Sequence, residues 1–282
     1  MNARKPSHEG IHSSPFSFAS LALSGEESAA AGALYDFSRA VRRDADLQHD
    51  AAAARLEHWR REVAAVYKGV CADPLMRAVL PAIKNHGLSR DHFERFLSAV
   101  EMDLGLRRYR TFDELKDYCD CAAGSLAYLV VEIIGLHDDA DAKEHARSLG
   151  LGAELVRIVR DMGSDAIKGR IYLPLDDLDM FKYTVDELRA GTVTEGFLKL
   201  GRLMTIRARA AFDRSEKALR PGLRRRLVAP EIVRATCEEL LRKVETHLDD
   251  CLLCASPAIK KWELVLIALT TWAEIKIAVF NK

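Results

Sequence analysis

The sequence predicts an all-α fold, one domain of roughly ten helices. Three observations predict it. Long stretches repeat apolar residues at helical period, with start signals at several of their N-termini. No run alternates convincingly between apolar and polar residues, so strands are not expected. No long polar linker and no repeat of solenoid length divides the chain.

The elements follow in order. Residues 1–13 are polar and read as a disordered tail, leaving 14–282 as the helical domain. Ser24-Gly25-Glu26-Glu27 signals a helix start ahead of an Ala-rich run. Helical period then predicts Glu27–Asp46, Asp50–Tyr67, Pro74–Asn85, Ser89–Asp103, Thr111–Ile134 and Ala140–Met162. Pro74 suits a first helical turn, and Ser89 and Thr111 suit N-caps, with Glu114 completing a capping box for Thr111. Shorter pieces follow Pro174, then helices over Thr194–Leu219, Pro230–Leu253 and Pro257–Ala278.

Composition narrows the function. A chain of 282 residues can bury a large core, and 49% hydrophobic with 30% charged residues is an ordinary soluble balance. Lys plus Arg and Asp plus Glu are 42 each, which argues against a nucleic-acid-binding surface but allows a local basic pocket. Six cysteines do not make a disulfide scaffold in a chain of this length, and they read as reduced thiols. Cys251-x-x-Cys254 has no second pair at zinc spacing and reads as two small helix residues. No secretory signal is expected, and no uncharged apolar stretch reaches spanning length. The nearest, Leu264–Phe280, is broken by Glu274 and Lys276, which leaves room for a greasy helix at a membrane surface. A cytoplasmic protein, with peripheral membrane contact left open, is the expectation.

The stretch richest in chemistry is Arg160-Asp161-Met162-Gly163-Ser164-Asp165, closed by Arg170-Ile171-Tyr172-Leu173-Pro174. Asp161 and Asp165 are four apart and share one helix face about one turn from each other. Two carboxylates so placed can each give an oxygen to Mg²⁺, which favours one or two carboxylates plus a substrate phosphate. Lys168 and Arg170 follow, both suited to phosphate. The same string also reads as a solvated helix end.

The string resembles the second aspartate-rich motif of the squalene/phytoene synthase family. That pattern runs Leu-Gly, Gln, Asn, Arg-Asp-x-x-x-Asp, Arg-x-Tyr-x-Pro. Here it reads Leu149-Gly150, Glu154, Arg157, Arg160-Asp161, Asp165 and Arg170-x-Tyr172-x-Pro174. Glu154 therefore stands where the family has Gln, and Arg157 where it has Asn. Leu34-Tyr35-Asp36-Phe37-Ser38-Arg39-Ala40-Val41-Arg42-Arg43-Asp44-Ala45-Asp46 resembles the family's first motif, Tyr-Ala-Phe-Cys-Arg-x-x-Asp-Asp-x-x-Asp. Arg42 and Arg43 occupy the two leading aspartate positions, and Asp46 is kept. Arginine has no acceptor for Mg²⁺ but can bind a diphosphate bidentately. Asp46 could pair with Arg42 one turn away, and Asp46-x-x-x-Asp50 makes a further DxxxD pair along the helix.

Other stretches carry the resemblance from about residue 16 to 275. Ser14–Leu21 is similar to the family's Ser-Phe-x-x-Ala-Ser-Arg segment, with Pro15 and Leu21 at two of its polar positions. His58-Trp59-Arg60-Arg61-Glu62 matches its Trp-Arg-x-Glu helix, where Trp59 reads as a packing residue. Ala99-Val100-Glu101-Met102-Asp103-Leu104 resembles another family stretch, and Glu101 and Asp103, two apart, cannot share a helix face. Tyr118-Cys119-Asp120-Cys121-Ala122-Ala123-Gly124 resembles the family's Tyr-Cys-x-x-Val-Ala-Gly, whose small residues allow close approach of a substrate chain or a neighbouring helix.

The resemblance implies an isoprenoid-synthase-like bundle around a central cavity. It also implies a Mg²⁺-dependent head-to-head condensation of two prenyl diphosphates, farnesyl or geranylgeranyl diphosphate, through a cyclopropyl intermediate. Asp161, Asp165 and Asp46 would carry metal. Arg39, Arg42, Arg43, Arg160, Lys168, Arg170 and Tyr172 would lie near diphosphate. Tyr118 is the catalytic candidate beside the reacting carbons, and it reads equally as a core tyrosine. The arginines of the first motif keep two rivals open: a member that has lost the chemistry and serves as a binding or assembly factor, and a prenyltransferase or terpene synthase using one allylic diphosphate.

Overall fold

The computed structural model describes Ala19 and residues 22–277. The tail 1–13, and the Ser14–Leu21 segment apart from Ala19, lie outside the described residues. Among the described residues every regular element is helical. The helices are α1 Gly25–Asp44, α2 His49–Val66, α3 Pro74–His86, α4 Arg90–Leu104, α5 Phe112–Cys119, α6 Ser125–Ile133, α7 Ala140–Ile167, α8 Leu175–Met180, α9 Val185–Arg189, α10 Glu195–Lys217, α11 Pro221–Arg226, α12 Val228–Thr246, α13 Leu248–Leu252 and α14 Lys261–Ile277. Roughly ten helices were expected, and the excess comes from the short α8, α9, α11 and α13.

Helix starts follow side-chain chemistry. Ser24 and Glu27 form a reciprocal capping box at α1. Asp73 caps α3 ahead of Pro74 in its first turn. Thr111 caps α5 through the Glu114 amide, but the Glu114 carboxylate accepts from the Arg110 amide instead of closing the box. Ser89 stands at the N-cap of α4 without a side-chain cap, and its own amide donates to Glu132 of α6. The expected helix over Thr111–Ile134 is interrupted by a π turn, Asp120–Gly124. Here α7 comes very close: a Cβ on Gly150 would lie 2.7 Å from the Gly124 Cα. A π turn absorbs one extra residue and is common at functional sites. The expected helix over Pro230–Leu253 also divides, because His247 leaves helical geometry at φ −135°.

The core lies on two sides. One cluster gathers Phe37, Trp59, Phe93, Phe96 and Leu97 from α1, α2 and α4. The other gathers Tyr118, Val159, Tyr172, Phe197 and Phe212 from α5, α7, α10 and the segment after α7. The 28-residue α7 spans about 42 Å and packs against α6, α10, α12, α13 and the π turn. It forms the axis on which the site is built. Trp59 is buried, as expected, and its indole N–H donates to Asp44 at 3.0 Å. The cysteines among the described residues are all free thiols. No helix among them is long and apolar enough to cross a membrane. The C-terminal α14 nevertheless turns Trp262, Leu266, Leu269 and Trp272 outward.

Candidate functional site

Two hollows lie end to end along α1 and α7. The first is a polar cleft of about 200 Å³, lined by Arg42, Ala45 and Asp46 at the end of α1, Val100 and Asp103 on α4, Arg157 to Lys168 along α7, then Arg170 and Tyr172. The second is an almost wholly apolar cavity of about 210 Å³. It is lined by Leu34, Tyr35 and Ser38 earlier on α1, His145 to Ala153 earlier on α7, and residues of α6 and α12. Leu126, Val130, Val131, Leu149 and Val233 are among the apolar side chains of its wall.

Between the two sets of lining residues on α1 and α7 stand Arg42, Glu154 and Arg157, three of the residues that depart from the family pattern. They meet in one network. Arg157 Nε donates to Glu154 at 2.6 Å, and its Nη1 donates to Asp165 at 3.0 Å. Its guanidinium also covers the Tyr172 ring at 4.9 Å. Arg42 approaches the same Glu154 from α1, at 3.6 Å. Burial alone would push the Glu154 carboxyl up; Arg157 and Arg42 outweigh it and hold that carboxyl below the usual range. Asp165 goes the other way: burial raises its carboxyl, and Arg157 only partly offsets this. The Nη2 of Arg157 is buried and has no hydrogen-bond partner. It is an unmet donor in a cleft otherwise full of matched charge.

The expected site residues divide into groups. Arg42, Asp46, Asp161, Asp165, Lys168, Arg170 and Tyr172 all line the cleft. Arg39, Arg43 and Arg160 are not among its lining residues. Arg39 stacks on Tyr35, Arg43 points outward beside Asp44, and Arg160 holds Asp161 through two hydrogen bonds of 2.7 Å. Tyr118 is fully buried, with its hydroxyl 3.3 Å from Asp103, and burial raises its phenol well above the usual range. It is a proton donor to Asp103 and is poorly suited to be a base.

Two local geometries differ from expectation. Asp46 does not pair with Arg42. Its carboxylate takes Lys168 at 2.9 Å and Arg170 at 2.8 Å, while Arg42 turns to Glu154. Burial would raise the Asp46 carboxyl, but these two cations lower it overall. Nor do Asp46 and Asp50 share a helix, because α1 ends at Asp44 and Asp50 lies in the first turn of α2. The cause is the pull of Lys168 and Arg170 across the cleft, a tertiary contact that local spacing does not carry.

Asp103 was missed as a site residue. It accepts the Tyr172 hydroxyl at 2.7 Å, and burial raises its carboxyl despite that bond. Glu101, on another face, pairs with Arg60 at 2.7 Å, in keeping with the two-residue spacing. Glu154 and Arg157 were seen as departures but not as partners. Their signal was present: 154, 157, 161 and 165 are spaced three, four and four, which is one helix face. Among the described residues the one imidazole lining the apolar cavity is His145, fully buried, with Nδ1 beside the Ser215 carbonyl and hydroxyl and with Nε2 unpartnered.

The fit to magnesium is partial. Asp161 and Asp165 keep the one-turn spacing and could hold one ion, with Arg157 already on Asp165. The facing residue of α1 is Arg42, which cannot share an ion. Among the described residues no three His, Cys, Asp or Glu side chains converge as a metal site. The arrangement fits a single ion and not a cluster.

A polar cleft and an apolar cavity thus both draw their walls from α1 and α7. Residues 11–263 match the sequence profile of the squalene/phytoene synthase family. The chain belongs to that family. It is 34% identical over 184 residues to a phytoene synthase of Arthrospira platensis, covering 60% of each chain. It is 31% identical over 176 residues to the 15-cis-phytoene synthase of Synechocystis, covering 58% of this chain and 52% of that one. The matched region thus spans little more than half the length of these relatives. Among solved structures, squalene synthase HpnC from Alicyclobacillus acidocaldarius superposes with a TM-score of 0.74 at 27% identity, covering 83% of this chain and 88% of its own. A dehydrosqualene synthase superposes at 0.76 with 23% identity, covering 95% and 92%, and supports the fold.

Proposed function

We propose that this protein is a prenyltransferase that joins two prenyl diphosphates, farnesyl or geranylgeranyl diphosphate, head to head. The observation that carries this is a cleft holding Arg42, Arg157, Lys168 and Arg170 and an apolar cavity that both take lining residues from α1 and α7. The diphosphate would lie against Arg42, Arg157, Lys168 and Arg170, and the hydrocarbon chain would run toward Leu149 and Val130. Guanidinium donors stabilise the negative charge that develops on a departing diphosphate. The apolar wall keeps water from the allylic cation while the second chain attacks. Tyr172, held by Asp103, and Tyr118 behind it present protonated phenols that cannot quench that cation as bases. A Mg²⁺ ion bound by Asp161 and Asp165 would add Lewis-acid charge at the same oxygens. A greasy product also suits contact of the outward face of α14 with a membrane surface.

The test is incubation with farnesyl or geranylgeranyl diphosphate and Mg²⁺, then extraction and mass analysis. A product of doubled chain length supports the reading. A product from a single chain favours a one-substrate synthase. Tight binding without any product favours the non-catalytic alternative, which one observation supports: each cleft carboxylate already has a protein partner.

A further inference from the structure

From the geometry we infer that the cleft binds its diphosphate through protein cations alone, with Arg157 as the central donor in the place of a bridging metal ion. This rests on the reading of the cleft as a diphosphate site. Three features of the network carry it.

First, Arg157 is fixed and incompletely used. Glu154 and Asp165 occupy its Nε and Nη1, and the Tyr172 ring lies against its plane, so the guanidinium has one orientation. Its Nη2 remains buried without an acceptor. Guanidinium is planar and weakly hydrated, and it matches phosphate oxygens geometrically. A phosphate oxygen would supply the missing acceptor once a neighbouring side chain shifts to admit it, because that nitrogen is shielded from solvent.

Second, the other cations surround this donor. Arg42 reaches in from α1, and Lys168 and Arg170 line the same cleft beyond the end of α7. Lys168 and Arg170 share one carboxylate, Asp46, which leaves an excess of one positive charge on that side. Arg42 shares Glu154 with Arg157, which leaves a second excess charge before Asp165 is counted.

Third, the carboxylates that would hold a metal cluster are absent or engaged. Arg42 faces α7 where a ligand from α1 would be needed, and Asp161 is held bidentately by Arg160. An ion at Asp161 and Asp165 would therefore bear on turnover more than on affinity.

The experiment is a set of binding isotherms with inorganic pyrophosphate and with farnesyl diphosphate, each in EDTA and in Mg²⁺. The parent is expected to bind in EDTA within about threefold of its affinity in Mg²⁺. Arg157→Gln should weaken binding roughly 10- to 100-fold in both buffers, the range for a lost charge-assisted bond. Arg157→Lys keeps the charge and loses the fork, so it should fall between. The triple variant Arg42→Asp, Glu154→Gln, Arg157→Asn exchanges protein cations for potential metal ligands and should bind only in Mg²⁺. Thermal melts of each variant establish that it is folded. Parental binding that collapses in EDTA would overturn the inference while leaving the diphosphate site standing, as would an Arg157→Lys protein that binds as tightly as the parent. No binding of either probe by the parent in either buffer would overturn both.

Discussion

Removing Arg157 tests the buried network independently of any ligand. In Arg157→Met the apolar stem is kept and the guanidinium lost. Glu154 is then left 3% exposed with Arg42 at 3.6 Å as its remaining partner, and Asp165 loses its 3.0 Å bond. Breaking a buried ion pair from one side costs about 3–5 kcal/mol, because the remaining charge stays buried. A chain of this size loses roughly 2–4 °C in melting temperature per kcal/mol, so a fall of about 10 °C is expected. The loss should depend on pH. In the parent the Glu154 carboxyl lies below its ordinary 4.5, because Arg157 and Arg42 outweigh the burial that would raise it. A lowered carboxyl contributes stability above the unfolded value and loses it as pH falls through the folded one. Without Arg157 burial dominates and the carboxyl rises. Its contribution then becomes a cost that grows as pH rises through the new value. Urea unfolding at pH 5 and pH 8 should therefore show the larger loss at pH 8. Adding Glu154→Gln should recover most of it, since no buried charge is left at that position. A loss under about 1 kcal/mol at pH 8 would refute the reasoning. So would a double variant no more stable than the single one.

Three other outcomes follow from the same structure. A Cβ on Gly163 would lie 2.0 Å from the Leu252 carbonyl oxygen, so Gly163→Ala must part α7 from α13. It should lower stability by about 1–3 kcal/mol in chemical unfolding. Asp103 has its carboxyl raised above 3.8 by burial, so it loses stability as pH rises through that raised value. Asp103→Asn should therefore gain on the parent between pH 4 and pH 7 in paired melts, and an advantage that shrinks over that range would contradict the assignment. The outward Leu266 and Leu269 of α14 should insert at a lipid interface. Leu266→Ser with Leu269→Ser should reduce co-sedimentation with phospholipid vesicles without changing the melt, and equal sedimentation of both proteins would remove membrane contact from the proposal.

The helical fold was legible because it is written locally. Apolar period, the Ser24 and Thr111 caps and Pro74 in a first turn mark where α1, α5 and α3 begin. What escaped was set between elements. The π turn at Asp120–Gly124 exists where α7 lies against the Gly124 backbone at Gly150, a contact across 26 residues of sequence. The same division runs through the site. Asp161, Asp165, Lys168 and Arg170 are readable as one string, and all line the cleft. The partner that claims Lys168 and Arg170 is Asp46, more than 120 residues away. Local spacing assigned Asp46 to Arg42, but α1 ends at Asp44, and two cations from beyond α7 offer Asp46 more charge than one neighbour in sequence.

Arg42, Glu154 and Arg157 make the strongest case for reading departures together. Taken singly, each looks like a loss: an acceptor replaced by a cation on α1, an amide by a charge, an amide by a guanidinium. A buried Glu154 alone would be costly, and so would a buried Arg157. Together each supplies what the other requires, with Arg42 as the second cation on the shared carboxylate. Asp165, retained from the motif, closes the far side of Arg157 at 3.0 Å. A carboxylate pair that accepts a metal needs positive charge brought from solution. Here one of that pair receives it from the chain, two turns upstream on the same helix, and the guanidinium that delivers it has a donor left over. The motif's remaining aspartates and the arginines that interrupt it are thus parts of one charge arrangement, in which a buried Glu154 depends on the cations at 157 and 42.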